Sequence, residues 1–141
     1  MKNFFALGIL LLLAGCQENV QPETIEQTEV ETVRNDRIID YNGEIENLEL
    51  LHQFLKDTED NKQSSLELTR YTIEGAPIYW RVEYQEGQYN IEVDNREDNF
   101  GSQNIENYQC GELNVTGSLT DYNFKSCEGG YEINLLSVTS D

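Results

Sequence analysis

Two stretches in the middle of the chain alternate large apolar residues with polar ones, a pattern typical of half-buried β-strands. They cover residues 77–85 and 89–93, and the dipeptide Glu86-Gly87 between them fits a two-residue hairpin turn. A turn at this place puts every large residue of both strands on one face of the hairpin. The predicted opposing pairs are Tyr84 and Tyr89, Val82 and Ile91, and Trp80 and Val93.

A helical pattern precedes this hairpin. Asn47 is a candidate N-cap for a helix that runs through Lys56 and carries an apolar stripe. The stripe consists of Leu48, Leu51 and Leu55, with Phe54 beside it. Further strands are predicted at residues 66–74, 108–116, 121–127 and 131–138. One helix followed by about six strands predicts an α+β domain, with the N-terminal helix packed on an antiparallel sheet of five or six strands.

The first sixteen residues have a different pattern. Lys2 precedes an apolar run from Phe4 to Leu13, and Leu13-Ala14-Gly15-Cys16 forms a lipobox. The run is too short for a helix that spans a bilayer, which needs about 20 residues. We therefore predict a lipoprotein signal peptide at residues 1–15 and a diacylglyceryl group on Cys16. An ordinary secretory peptide with an incidental cysteine is the alternative.

The next segment is polar and acidic. Residues 17–35 contain five glutamates, no aromatic residue and few apolar ones. Such a stretch cannot bury enough surface to offset its ordering entropy, so it is predicted to be a flexible tether. The predicted limits are residues 1–15 for the signal peptide, 16–36 for the lipidated cysteine and tether, and 37–141 for a single domain.

The charge of the chain restricts its partners. Nine basic and 27 acidic residues give a formal net charge of -18. A field of this sign repels phosphates and anionic lipid headgroups, which argues against nucleic acid as a partner. It attracts cationic peptides and metal ions, although a solvated acidic surface explains the composition more simply.

The cysteines indicate an oxidising compartment. Once Cys16 is assigned to lipid, Cys110 and Cys127 remain as an even pair in an exported protein. We predict that they form a disulfide between two C-terminal strands. Two reduced thiols are the alternative.

No catalytic set is recognisable. The chain has a single histidine, His52, and lacks a nucleophile elbow, a glycine-rich phosphate loop and a CxxC pair. His52 is predicted to be a half-exposed helix residue, with a catalytic or ligand role as the alternative. We therefore expect no catalytic residue, no cofactor and no enzymatic activity, with an enzyme of unrecognised class as an alternative.

A candidate metal site lies in an acidic loop after the hairpin. Asp94, Asn95 and Asp98 offer oxygen ligands of the kind that calcium accepts, and Glu97 and Asn99 add two more. The spacing is not that of a helix-loop-helix calcium site, and Arg96 stands in the middle of the loop. A solvated loop is therefore favoured over a calcium site.

A candidate binding surface lies on the face of the hairpin opposite Trp80. Tyr79 and Arg81 point to this face, and exposed tyrosine and arginine are enriched at binding surfaces. An ordinary polar sheet face has the same composition.

Several segments resemble a known family. They are residues 43–48, 70–78, 94–95 and 98–101, which are similar to a family of small lipoproteins found mainly in Gram-positive bacteria of the bacillus type. The family is catalogued only as a domain of unknown function, and its late cysteine pair matches Cys110 and Cys127. The resemblance implies surface anchoring and similar domain limits, and it implies no activity.

These observations predict a lipoprotein anchored to the extracytoplasmic face of a bacterial cell membrane. Its partners would be the lipid bilayer, through the acyl anchor, and an extracytoplasmic protein. We expect a non-catalytic binding or protective module, with a calcium-binding lipoprotein as the main alternative.

Overall fold

The computed structural model of the chain describes residues 36–116 and 120–139. The predicted signal peptide, Cys16 and nearly all of the predicted tether lie outside these residues. Within them the chain forms eight strands and one helix. They are β1 (Ile38–Tyr41), β2 (Glu44–Glu46), α1 (Leu48–Glu59), β3 (Ser64–Tyr71), β4 (Pro77–Gln85), β5 (Gln88–Asp94), β6 (Ile105–Thr116), β7 (Thr120–Cys127) and β8 (Ile133–Val138).

All eight strands belong to one sheet in the order β2-β1-β3-β4-β5-β6-β7-β8. The pairs of neighbouring strands are antiparallel except for β1 and β3, which are parallel. The sheet curls until it nearly closes around the core. The predicted fold of one helix on an antiparallel sheet of five or six strands is therefore wrong, because the chain is mostly β, with eight strands and one short helix in its described part.

The error comes from the two shortest strands. β1 has four residues and β2 has three, too few to show a period of two. A parallel pair needs a long crossover connection, and α1 lies within the one between β1 and β3. The helix is thus part of the chain path that builds the sheet.

The hairpin of β4 and β5 has the predicted register. Tyr84 lies opposite Tyr89, Val82 opposite Ile91 and Trp80 opposite Val93, and all six side chains are buried. Glu86 and Gly87 both have positive φ, at 52° and 81°. Two such residues form the kind of turn whose twist matches the twist of the flanking strands.

Asn47 occupies the predicted N-cap position of α1, and the helix continues past Lys56 to Glu59. The backbone of Asn47 is left-handed, with φ of 59°, and its side chain makes no capping hydrogen bond. Its Nδ2 atom instead donates to the carbonyl oxygen of Arg37 over 2.8 Å. This contact ties the junction before the helix to the residue before β1. Leu51 and Phe54 are buried as predicted.

The core fills the inside of the curled sheet. Leu51 and Phe54 of the helix join one cluster with the inward side chains of the strands. The ring of Phe54 lies 6.2 Å from that of Tyr89, which lies 5.4 Å from that of Phe124. The helix thus packs over the interior near the turn between β4 and β5.

A disulfide joins β6 to β7 between Cys110 and Cys127, which lie opposite each other. Both cysteines are buried, and so is Phe124, which pairs with Leu113. On each strand the two inward residues, Cys110 and Leu113 on β6 or Phe124 and Cys127 on β7, are three positions apart. Side chains of a regular strand alternate between its two faces, so this spacing requires a break in the alternation. Ser126 provides the break in β7, because its φ of 55° is left-handed.

A partly buried ion pair lies on the inner face of the sheet. Asp40 of β1 is 7% exposed and accepts a hydrogen bond over 3.0 Å from Nε of Arg70 on β3. The guanidinium of Arg70 also lies 5.4 Å from the ring centre of Trp80. One of its terminal nitrogens donates to the carbonyl oxygen of Leu135 on β8. The pair therefore links β1 and β3 to the far edge of the sheet.

None of the helical structure within the described residues is long and apolar enough to cross a membrane.

Candidate binding surface

A row of charges crosses the outer face of the sheet. Glu67, Arg81 and Glu92 lie at paired positions on β3, β4 and β5. Nε of Arg81 is 3.5 Å from a carboxylate oxygen of Glu67, and its terminal nitrogen is 3.6 Å from one of Glu92. The side chain of Arg81 is exposed, as predicted, and it lies between two carboxylates.

Tyr79 also points to the outer face. Its hydroxyl lies 3.4 Å from a carboxylate oxygen of Glu97 in the loop after β5. The pKa of Tyr79 is raised, mainly because the phenol is partly buried and also because the Glu97 carboxylate is close. The phenol therefore stays neutral, and it connects the sheet to the acidic loop.

Two adjoining depressions on this face are lined by the described residues. The larger, called here the outer groove, has a volume of about 440 Å³. Its polar lining includes Glu83 of β4, Asn90 of β5, Asn107 and Gln109 of β6, and Glu128 after β7. The smaller, of about 210 Å³, lies beside Tyr79. Arg81 and Glu92 line both, so their ion pair stands between the two depressions.

Three amide side chains, those of Asn90, Asn107 and Gln109, line the outer groove. Nε2 of Gln109 donates to the side-chain oxygen of Gln88 over 2.8 Å and to that of Asn90 over 3.2 Å. These bonds fix the amide of Gln109 across two strands. The carboxylates of Glu83 and Glu128 form no ion pair with any described residue.

The positive charges of the described chain are mostly neutralised. Each arginine in residues 36–116 and 120–139 lies within 4 Å of a carboxylate. Every guanidinium in this part of the chain therefore already has a carboxylate neighbour. The pairs are Arg37 with Asp36 and Glu67, Arg70 with Asp40, Arg81 with Glu67 and Glu92, and Arg96 with Asp94.

The acidic loop uses its oxygens internally. The two carboxylate oxygens of Asp94 accept from Nε and the terminal nitrogen of Arg96 over 2.9 and 2.7 Å. This pairing lowers the pKa of Asp94 to about 2. Asp98 accepts from the backbone N–H of Phe100, and Asn95 accepts from that of Asn104. Within the described ranges, no group of three or more acidic, histidine or cysteine residues is placed to hold a metal.

His52 lies on the exposed side of α1. Its side chain makes no hydrogen bond or ion pair with the described residues.

Sequence reasoning placed Tyr79 and Arg81 on the outer face but missed the outer groove. Glu83 and Asn90 could have been found, because they are outward positions of the predicted hairpin. Gln109 and Glu128 could not, since their position depends on how β6 pairs with β5 after a ten-residue loop.

A comparison with known families gives one match. The profile of a domain of unknown function, DUF4362, matches residues 25–123, which is 99 of the 141 residues. This chain belongs to the DUF4362 family. The predicted membership in a family of unknown function is therefore confirmed. The DUF4362 range contains β1 to β6 and ends within β7, so Cys127 and Glu128 lie beyond it. No curated protein and no solved structure shows a significant match.

Proposed function

We propose that this protein is a lipoprotein anchored to the extracytoplasmic face of a bacterial cell membrane, and that it binds a partner rather than catalysing a reaction. The lipobox ending at Cys16 supports the anchor, because two or more acyl chains give stable membrane residence. The acidic segment 17–35 supports a tether that lets the domain reach away from the membrane.

The outer face of the sheet is the proposed binding surface. The observation that carries this proposal is the pair of depressions that meet at Arg81 and Glu92. Their side chains are polar, partly exposed and held in place by cross-strand contacts. A surface ordered in this way loses less side-chain entropy when a partner binds.

Crosslinking on intact cells tests the proposal. The wild type is compared with Tyr79→Ala/Arg81→Glu, which alters both depressions. The matched control is His52→Ala/Lys56→Glu on the exposed side of α1, which changes the charge by the same amount. We expect the double variant at the outer face to lose partners that the wild type and the control both capture.

Capture of the same partners by all three proteins would contradict the proposal. Circular dichroism of each purified variant shows that it has folded. Binding through this face should also weaken as salt is added, because the domain is highly charged.

A further inference from the structure

We infer that the outer groove binds a basic peptide segment, whose lysine or arginine side chains pair with Glu83 and Glu128. This inference rests on the proposed function and adds the chemistry of the ligand. It begins from the geometry of the groove, in which four side chains form a single row across the sheet.

The row runs from β4 to the end of β7. Glu83 lies opposite Asn90, and Asn90 lies opposite Gln109. The backbone N–H of Glu128 then donates to the carbonyl oxygen of Gln109 over 2.9 Å. The groove therefore presents two amides with a carboxylate at each end.

The charges favour a cation. Glu83 and Glu128 have no ion-pair partner among the described residues, whereas Arg81 at the edge of the groove is already paired with Glu67 and Glu92. An anionic ligand would meet two free carboxylates and no free guanidinium there. A cationic ligand is also attracted over a longer range by the charge of -18.

The amide side chains that line the groove suit the same ligand. Both hydrogen bonds made by the side chain of Gln109 come from its Nε2 atom, so its carbonyl oxygen remains an acceptor. Lysine and arginine side chains carry donors and no acceptor. An ammonium or guanidinium group that enters the groove therefore finds carboxylate and amide oxygens.

The length of the row predicts the spacing of the ligand's charges. Three strand spacings separate Glu83 from Glu128, which is about 14 Å between their backbones. An extended peptide advances about 3.4 Å per residue and points alternate side chains to one face. Basic residues at positions i and i+4 thus fit the row, and neighbouring basic residues do not.

Two synthetic peptides of the same composition test this inference. Both are fluorescently labelled, uncharged apart from two lysines, and built on serine and threonine; one has the lysines at i and i+4 and the other at i and i+1. Fluorescence anisotropy measures their binding to the full-length protein in a non-ionic detergent at low salt. We expect the i, i+4 peptide to bind more tightly.

Isosteric variants locate the site. Glu83→Gln/Glu128→Gln should raise the Kd for the i, i+4 peptide about tenfold, since two charge pairs are lost. Glu44→Gln/Glu59→Gln removes the same charge from exposed positions away from the groove and should change the Kd less than about twofold.

Three results would overturn the inference: no saturable binding by the wild type, equal loss of binding in both variants, or equal affinity for both peptides. The last two results would show that the peptides are attracted only by the overall negative charge of the protein. If crosslinking still depends on Tyr79 and Arg81 in any of these cases, the proposed binding surface stands and only the basic ligand is rejected.

Discussion

Arg70 on β3 donates a hydrogen bond to the carbonyl oxygen of Leu135 on β8, 65 residues later in the chain. β8 is an edge strand, and its register with β7 shifts where Leu135 has no opposing residue. Such an irregularity leaves a backbone group that needs a partner when it is buried, and Leu135 is 1% exposed. The guanidinium of Arg70 supplies that partner and brings the two sides of the curled sheet together.

Asp40 also accepts a hydrogen bond from this guanidinium. We therefore predict that Asp40→Asn lowers the free energy of unfolding by about 2 kcal/mol, less than for a fully buried pair because Arg70 is partly exposed. The change leaves the charge of Arg70 without its partner inside the sheet. Urea unfolding gives the value. Glu67→Gln, which removes an exposed carboxylate from Arg37 and Arg81, serves as control and should cost less than about 1 kcal/mol. Equal costs would show that the Asp40–Arg70 pair does not hold the curled sheet together.

The disulfide between Cys110 and Cys127 is predicted to persist in protein taken from the cell surface. Its sequence separation is 17, and a loop of this length corresponds to about 3 kcal/mol of stabilisation. Cys110→Ala/Cys127→Ala should lose that amount in urea unfolding. Mass measurement after alkylation, with and without reduction, detects the bond. Alkylation of both thiols without reduction would refute the prediction.

Cys16 is predicted to be the first residue of the mature protein and its site of lipidation. Cys16→Ser should either release the protein to the medium or leave an uncleaved precursor, because the acyl chains can no longer be attached. Cell fractionation and mass spectrometry distinguish these products. A correctly cleaved Cys16→Ser protein that stays on the membrane would rule out the lipid anchor.

Calcium is predicted to have little effect on stability. Extracellular calcium modules have Kd values of about 10⁻⁴ to 10⁻³ M, and the oxygens of Asp94 are already bound to Arg96. Millimolar calcium should therefore cause a small or absent change in melting temperature. A large increase that disappears in Asp94→Asn/Asp98→Asn would establish the calcium site instead.

The pairing of Asp94 with Arg96 should be visible in its titration. The pKa of Asp94 is lowered from 3.8 to about 2 in the folded protein, first by the side-chain bonds from Arg96. Because the folded pKa is depressed, any stabilisation from this group is complete above the unfolded pKa and is lost as the pH falls through about 2. In a carbon NMR titration, Asp94 should still be mostly ionised at about pH 3. Arg96→Gln should bring its pKa back towards 3.8.

The hairpin of β4 and β5 could be predicted because three kinds of signal agree. The alternation, the Glu86-Gly87 turn and the pairing of large residues all indicate the same register. The helix was also predictable, since Leu51 of its apolar stripe and the neighbouring Phe54 lie in the core. Its capping was not, because the side chain of Asn47 bonds to the distant carbonyl oxygen of Arg37.

The closure of the sheet could not be predicted from local patterns. β1 pairs with β3 although β2 and α1 separate the two strands in the chain. In the sequence Arg70 looks like any other polar residue of a strand, and nothing near it indicates its bond to Leu135. Ser126 gives no sign in the sequence that it would take a left-handed backbone and reverse the facing of β7. For the same reason the outer groove, which combines four elements, was only partly visible as Tyr79 and Arg81.

The position of β1 has a mechanical consequence. If the proposed anchor is right, any force between the membrane and a bound partner enters the domain at β1, the first strand after the tether. β1 has neighbours on both sides, β2 and β3, and it runs parallel to β3. A pull along it must shear the hydrogen bonds on both sides together, and the Asp40–Arg70 pair adds resistance. The strand nearest the anchor is therefore well placed to bear load without peeling away.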